Sequence, residues 1–439
     1  MSDTHAETVA YVRDTMVPQK APPPSTVGLI GWGRENLFSG WVNTLMTIVS
    51  SAVILLALYK LVPWFISPTW EAASLTECRE ILAALGRGGE HGGGACWGVI
   101  RDRWQQLMFG FYPSDLYWRP VLAFAIFLLA ITPVLFHRAP RALLYLLPVF
   151  PFIDVWLLWG GSIWHPVSAL MGFVIGYGVF ILVSRWTSSL IGVIAAVIVP
   201  VIWWLYLGPA IATDLARIVP MRIESVQSRE FGGFMLSITI GVTAILAAFP
   251  LGIILALGRR SDLFIVKSLC VGFIEFIRGV PLITLLFVAS VLLNIFLPPG
   301  TNFDIILRVM IMVTLFSAAY LAEVIRGGLA ALPKGQYEGA DSLGLDYWQA
   351  QRLVIMPQAL KISIPGIVST FIGLFKDTTL VSIISMFDPV GLASAIRADT
   401  AWNGIYWELF IFIGAVFFVF CFSMSRYSMY LERKLKTSH

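Results

Sequence analysis

The chain has 439 residues, of which 58% are hydrophobic and only 13% are charged, against roughly 25% charged residues in an ordinary soluble domain. Its mean hydropathy is +0.81, so even the connecting segments carry few polar residues. These values exclude a soluble globular protein and indicate a polytopic membrane protein. The net charge of +4 is small and dispersed, so no nucleic-acid partner is predicted.

The first 40 residues include a polar, proline-rich stretch without the apolar segment of a signal peptide, so residues 1–40 are predicted to form a cytoplasmic tail. Beyond them lie ten apolar runs, each about long enough to cross a ~30 Å hydrocarbon core as a helix. We therefore expect an all-α membrane protein with about ten transmembrane helices. In chain order the predicted spans are Trp41–Ile66, Pro120–Phe136, Leu143–Trp159, Val167–Ser184, Ser189–Ala212, Phe234–Leu257, Val280–Leu297, Ile305–Ile325, Ile362–Met386 and Tyr406–Met424.

The distribution of positive charge predicts the orientation of these spans, because lysine and arginine in short loops stay on the cytoplasmic side. Placing both termini in the cytoplasm puts the basic segments 137–141 and 259–267 and the basic C-terminus on that side. The loop 213–233 is then external although it carries three arginines, which three acidic residues offset.

The same orientation makes the loop 67–119 periplasmic, and it contains Cys78 and Cys96. In an oxidising compartment the two cysteines can form a disulfide, and two reduced thiols are the alternative. The spacings of the cysteines and of the histidines do not fit a metal-binding motif, so no metal site is predicted. The sequence also lacks a Walker A phosphate loop and a catalytic constellation, so any ATP chemistry belongs to a partner.

The segment 327–361 between the eighth and ninth spans is far more polar than its surroundings. Within it, Ala340, Leu343, Gly344 and Tyr347 recur at helical spacing and predict one apolar face of a short amphipathic helix. Within residues 333–357 three acidic residues outnumber two basic ones, so a protein groove is a better receiver for this helix than a lipid surface.

Specific residues of this segment resemble the EAA-x3-G-x9-I-x-L-P motif of the permease subunits of bacterial ABC importers. They are Glu338, Gly339, Ala340, Gly344 and Pro357. Segments 273–287, 319–340 and 375–385 are similar to those of the polar and general L-amino-acid class, the histidine/glutamine-type permeases. The resemblance covers residues 229–437.

The resemblance implies a five-helix type I importer core in residues 229–437, with residues 333–357 as the cytoplasmic coupling helix that docks on an ATP-binding subunit. Residues 41–212 are then an N-terminal helical extension of the long form of these permeases. The implied partners are a second permease, identical or related, two ATP-binding subunits that hold ATP and Mg, and a periplasmic amino-acid-binding protein. The implied location is the bacterial inner membrane, and the implied substrates are L-amino acids of several kinds.

Two charged residues, Lys376 and Asp377, lie about halfway along the ninth predicted span. Because a charge in hydrocarbon is costly, each requires a partner. A zwitterionic amino acid offers both complementary charges, and Thr378 and Thr379 can add hydrogen bonds. The alternative is a structural ion pair that stabilises the helix bundle, with the hydroxyls bonded to the preceding turn.

Two further pairs, Glu275 with Arg278 and Glu323 with Arg326, have i, i+3 spacing near predicted cytoplasmic helix ends. They suit an inner gate or purely structural salt bridges.

The predicted function is the transmembrane permease subunit of an ATP-driven importer of L-amino acids that works by alternating access. It is a transport subunit rather than an enzyme. An ion-coupled secondary amino-acid transporter is the alternative, and nucleotide dependence of transport distinguishes the two.

Overall fold

A computed structural model describes residues 28–66, 69–86, 93–136, 138–292, 295 and 304–435. Residues 1–27 of the predicted tail 1–40 lie outside the described residues. The last part of the tail contains a helix. The first compact unit contains residues 1–69 and 79–95, and the second contains residues 70–78 and 96–439. The helices that precede the predicted core are α1 (Gly28–Asn36), α2 (Trp41–Ile66), α3 (Leu75–Ala84), α4 (Gly98–Phe109), α5 (Trp118–Leu135), α6 (Leu146–Trp159), α7 (Trp164–Trp186), α8 (Ser189–Ile202) and α9 (Gly208–Ile218).

The remaining helices lie within the predicted core. They are α10 (Gly233–Arg259), α11 (Phe264–Gly279), α12 (Leu282–Phe287), α13 (Ile305–Ala330), α14 (Lys334–Ser342), α15 (Tyr347–Ala350), α16 (Met356–Asp377), α17 (Pro389–Ala398) and α18 (Trp407–Leu435). A 3₁₀ helix, Thr378–Ile384, continues α16. Two short strands, β1 (Gly161–Ser162) and β2 (Arg222–Ile223), pair antiparallel with Gly161 opposite Ile223.

Nine described helical segments are long and apolar enough to cross a membrane, so the prediction of an all-α polytopic protein is confirmed. The seventh predicted span is different. In its place α11 and the segment Leu282–Leu292 form a pair bent by 100°, which makes ten spans if the pair is one. The bend falls at Pro281, which lacks an N–H and disfavours helical geometry at Val280. The predicted end of this span, Leu297, lies outside the described residues.

Small side chains allow the two central helices of the core, α10 and α13, to pack closely. Ala248 and Ala256 on α10 and Ala318 and Ala322 on α13 are all fully buried. At Gly252 an added Cβ would lie 2.8 Å from the Cβ of Leu321. Backbones that approach this closely gain dispersion contacts, which drive helix association in lipid because the hydrophobic effect does not.

One apolar cluster joins the extension to the core. It contains Leu158 of α6, Phe231, Leu236 of α10 and Ile306 of α13, all at most 2% exposed. The Trp159 indole Nε1 also donates to the Ser228 hydroxyl at 2.7 Å. The extension is therefore packed against the core rather than tethered to it by a loop.

The predicted loop 67–119 contains α3 and α4 and a disulfide between Cys78 and Cys96, whose Cα atoms are 6.0 Å apart. We call residues 70–78 and 96–117 the disulfide cap, and the end of the core that it contacts the disulfide end. The backbone N–H of Cys96 donates to Oε1 of the buried Glu408 at 2.8 Å. Charged acceptors make stronger hydrogen bonds than neutral ones, so Glu408 fastens the cap to the start of α18.

Further polar contacts hold the cap on the segment between α17 and α18. The fully buried Trp402 donates through Nε1 to Oδ2 of Asp102 at 2.9 Å. Arg103 reaches Asp102 at 2.9 Å and Asp399 at 3.0 Å. The contacts Trp402–Asp102 and Arg103–Asp399 join residues 300 and 296 positions apart, so no local pattern predicts them.

The end of the cap approaches the backbone of the core directly. Gly110 forms an antiparallel bridge with Phe231, and Gly232 forms a parallel bridge with Phe387. Gly110 has φ of 71°, and a Cβ there would lie 2.4 Å from the Cα of Gly232. Only glycine fits this position, for reasons of both conformation and space.

We expect Cys96→Ser to loosen the cap by about 3 kcal/mol, because the disulfide closes a separation of 18 residues and restricts the unfolded chain. The measurement is hydrogen–deuterium exchange of the α4 amides in lipid nanodiscs. Cys270→Ser, which removes a thiol outside the disulfide, is the control. Unchanged protection of α4 in Cys96→Ser would contradict the expectation.

Candidate functional site

The EAA-like segment consists of the short helix α14, a sharp turn, and the start of a long helical run in which α15 continues through a π-helical stretch, Gln351–Ile355, into α16. At the end of α14 the N–H of Leu345 donates to the carbonyl of Ala340 at 3.2 Å, and the N–H of Gly344 to that of Asp341 at 2.9 Å. With φ of 69° at Gly344, this is a Schellman C-cap. Asp346 then begins α15 with a capping box to Gln349. The turn therefore requires glycine at position 344, because an L-amino acid there would strain the backbone.

This turn corrects the predicted apolar face. Ala340 is 2% exposed, but Leu343 is 77% and Tyr347 53% exposed, because the helix ends at Ser342 and does not continue through Gly344. The prediction assumed that one helix continues through Gly344, and this assumption is wrong. The side chains of Leu343 and Tyr347 lie instead on the outside of two helical segments joined by a turn.

Side chains of α14 fix this segment to two long helices of the core. Arg260, at the end of α10, donates to the Tyr337 hydroxyl at 3.0 Å, and its guanidinium lies 5.5 Å from the centre of the tyrosine ring. Gln358 of α16 donates to Gln336 at 2.8 Å. A displacement of α14 is therefore transmitted to both α10 and α16.

The outer surface of the segment is exposed and partly apolar. Trp348 is 70% exposed and Leu353 is 64% exposed. Glu338, Gly339 and Pro357 are exposed as well. We call this the coupling surface and define it as Glu338, Gly339, Leu343, Gly344, Tyr347, Trp348 and Leu353. An aromatic and aliphatic patch of this kind on a polar segment marks an interaction site.

The two predicted i, i+3 pairs belong to one cluster of charges centred on Glu323. Arg326 contacts Oε2 of Glu323 at 3.0 Å, as its spacing predicts, and Arg278 contacts the same oxygen at 3.7 Å. Glu275 does not pair with Arg278, since its partner is Arg259 at 2.7 Å. The cluster thus connects α10, α11 and α13 at the end of the core opposite the disulfide end.

Arg259 is the member that the sequence pattern did not identify. It contacts both Glu275 at 2.7 Å and Glu323 at 3.1 Å. In the sequence it is only one of several basic residues after a predicted span. Because its partners are 16 and 64 residues away, no local periodicity connects them.

Lys376 and Asp377 lie at the end of α16, where the α-helix changes into the 3₁₀ helix Thr378–Ile384. Seven 3₁₀ residues span about 14 Å, after which Phe387 pairs with Gly232 at the disulfide end. That distance is about half of a ~30 Å hydrocarbon core. A position of both charged residues near the middle of the membrane stays a prediction from the sequence.

Among the described residues, neither Lys376 nor Asp377 makes an ion pair or a side-chain hydrogen bond. Lys376 is exposed and Asp377 is partly exposed. The hydroxyls beside them bond to the preceding turn, with Thr378 donating to Phe375 at 2.8 Å and Thr379 to Lys376 at 2.9 Å. The two charges therefore remain available, whereas the hydroxyls are occupied.

The 3₁₀ helix ends in a strained residue, Ser385, which has φ of 64°. Asp388 follows as the fully buried N-cap of α17 and accepts backbone N–H groups of Val390 and Gly391. Burial raises the pKa of the Asp388 carboxyl to about 6 although these hydrogen bonds favour the carboxylate. This junction fixes the distance between the charged pair and the disulfide end.

Known proteins are similar to this chain over its whole length. Residues 248–437 match the family described as binding-protein-dependent transport system inner membrane component. The chain is 56% identical over 440 residues to the glutamate/glutamine/aspartate/asparagine transport system permease protein BztC of Rhodobacter capsulatus, covering 100% of each.

The inner membrane amino-acid ABC transporter permease protein YhdY of Escherichia coli K12 is 40% identical over 408 residues, which are 92% of this chain and 93% of that protein. A solved structure, described as the crystal structure of an amino acid ABC transporter with histidines, is 32% identical, covers 46% of this chain and 91% of its own, and has a TM-score of 0.41. The first two similarities include the extension as well as the core.

Proposed function

The chain belongs to the family of amino-acid ABC transporter permeases, and from this premise we propose that it carries L-amino acids across the bacterial inner membrane by alternating access. It is a transport subunit and not an enzyme, and the resemblance inferred from the EAA-like motif is confirmed. The relatives give no support to the alternative of an ion-coupled secondary transporter.

The observation that carries the mechanism is the attachment of the coupling surface to two long helices. Two ATP-binding subunits, which hold ATP and Mg, would each receive one such surface from a pair of permeases. When they close on ATP, the pull on α14 passes through Arg260 to α10 and through Gln358 to α16. Because α16 leads directly to Lys376 and Asp377, movement at the ATPase reaches the middle of the membrane.

The charge cluster on Glu323 supports a role at the inner gate. Its salt bridges connect three helices at the end that carries the coupling surface. Bridges that are partly exposed, as Arg326 and Glu275 are, contribute little energy each and exchange partners readily. The cluster can therefore rearrange when α10 and α13 move apart.

Transport that depends on nucleotide tests the proposed function. The permease is reconstituted in proteoliposomes with its ATP-binding subunits and its binding protein, and uptake of labelled amino acids is measured with ATP or with a non-hydrolysable analogue inside. We expect uptake with ATP alone. Equal uptake without ATP, driven by an ion gradient, would instead support a secondary carrier.

We expect Trp348→Ala to weaken capture of the ATP-binding subunit at least tenfold, because truncation of an aromatic interface residue costs about 2 kcal/mol or more. Trp348 is 70% exposed, so its removal leaves the fold of the permease intact. The measurement is co-purification and the ATPase rate of the complex. Trp186→Ala, at an equally exposed tryptophan of α7 (84%), is the matched control, and an equal effect of both variants would contradict the proposal.

For substrate recognition we propose that Lys376 and Asp377 bind the carboxylate and the ammonium of the amino acid. This arrangement reads the part that all amino acids share. It agrees with the name of the relative BztC, which lists two acids and their two amides, because these four share the α-ammonium and α-carboxylate but differ in side-chain length and charge. The charge of Lys376 acts on Asp377, but among the described residues neither side chain forms a salt bridge, which supports the same assignment.

If so, Asp377→Asn impairs uptake of all transported amino acids together, since the α-ammonium loses its counter-charge. We expect at least a tenfold loss of kcat/KM, which corresponds to about 1.4 kcal/mol, for each substrate. Asp214→Asn, at an exposed aspartate of α9, controls for loss of negative charge. Loss of assembly in Asp377→Asn would favour a structural ion pair, and unchanged uptake would remove the site.

We propose that both termini and the coupling surface are cytoplasmic and that the disulfide cap is periplasmic. The short-loop charge bias supports this orientation, and a disulfide agrees with an oxidising compartment. Single cysteines at the exposed positions Gln105 and Asp262 test it in a Cys270→Ser, Cys421→Ser background. We expect a membrane-impermeant maleimide to label position 105 from outside and position 262 only after permeabilisation, and the reverse pattern would overturn the topology.

A further inference from the structure

A cavity of about 260 Å³ lies between the extension and the core, and its described lining does not include Lys376 or Asp377. Its walls come from α5 and α6 on one side and from α10 and α18 on the other. Val121 lies on its edge and is 56% exposed, so the cavity opens sideways from the helix bundle. Neither the permease family nor the transport cycle above assigns anything to it.

One acidic residue, Asp154 of α6, lies in this cavity and is 7% exposed. In the part of the chain that the structure describes, no hydrogen bond and no salt bridge reaches its carboxyl group. A buried charge without a partner is costly, and intramembrane acids normally face protein partners or a ligand. Asp154 faces the empty volume of the cavity.

The rest of the lining is apolar and rich in aromatic rings. Apart from Asp154, Thr239 is the one polar residue among the described lining residues, and no lysine or arginine occurs there. Aromatic faces carry negative charge density and attract organic cations. The six aromatic lining residues are Phe109, Phe124, Phe127, Phe150, Phe234 and Phe420.

We propose that this cavity binds an organic ammonium ion with an apolar body. Asp154 supplies the counter-charge, and the phenylalanine rings surround the alkyl groups on nitrogen. A free amino acid does not fit, because its carboxylate would have no cationic partner in the lining. The site is thus separate from the proposed substrate site.

The ammonium group can come from a soluble amine or from a lipid headgroup, because the opening beside Val121 faces outward from the bundle. Both sources share the same recognition chemistry. The two sources can be distinguished by which molecule displaces a bound probe. A choline lipid in the surrounding bilayer competes with the probe only if headgroups reach the cavity.

Binding of tritiated benzyltrimethylammonium to the full chain tests the proposal. In dodecyl maltoside, which has no ammonium group, we expect saturable binding that Asp154→Asn weakens at least tenfold and Phe150→Leu weakens severalfold. Asp214→Asn is expected to leave binding unchanged. Neopentylbenzene has the same shape without the charge and is expected not to compete.

Nanodiscs of phosphatidylglycerol and of phosphatidylcholine then identify the source. Loss of probe binding only in phosphatidylcholine supports a lipid headgroup, and equal binding in both supports a soluble amine. Absence of saturable binding, equal binding to Asp154→Asn, or competition by neopentylbenzene overturns the proposal. The neutral competitor is tested on the unmodified chain, so a folding defect in a variant cannot obscure the result.

Discussion

The cost of an unpaired charge in hydrocarbon determines how this chain is arranged. Most charged side chains lie outside the apolar spans or at their ends, where Glu323 meets its arginines at one end of the core and Arg103 meets Asp102 and Asp399 at the other. Both groups connect segments that are distant in sequence. Within the spans few charges remain, and the buried Arg308 among them donates to the backbone carbonyls of Ala289 and Ser290.

The two ends of the core are held by different interactions. The disulfide end is fixed by a covalent bond, a buried carboxylate on a backbone N–H and the glycine contact at Gly110. The coupling surface is instead held by side-chain contacts alone, from Arg260 to the Tyr337 hydroxyl and between two glutamine amides. The first end is therefore constrained through the backbone, and the second only through side chains that can change rotamer.

Much of the fold could be predicted from hydrophobic runs, because a span of about 20 apolar residues leaves little choice in lipid. Bends were not predictable in this way, since a run of apolar residues has the same composition whether straight or bent, as at Pro281. In the EAA-like segment, residue types were recognised but the geometry was not. The helical spacing continued through Gly344, whereas a glycine in that context ends the helix.

The remaining failures of prediction concern contacts between distant segments. Arg259 and its glutamates, or Trp402 and Asp102, become neighbours only through the packing of several helices. A single sequence contains the charges but not the pairing. Asp154 was missed for a simpler reason, since it is one acid inside an otherwise apolar run and the span is predicted equally well with it or without it.

Asp154 and Asp377 illustrate how the surroundings of an acid specify its ligand. Asp377 follows Lys376, so its neighbourhood offers both signs of charge and complements a zwitterion. Asp154 has no cation in its cavity and is surrounded by phenylalanine rings, so its neighbourhood complements a lone positive charge with an apolar body. If the two ligands were exchanged, the carboxylate of the amino acid would have no counter-charge in the cavity of Asp154. Lys376 would have no counter-charge from the lone ammonium ion. In the two proposals the same side chain therefore serves two binding chemistries, and the presence or absence of a neighbouring cation separates them.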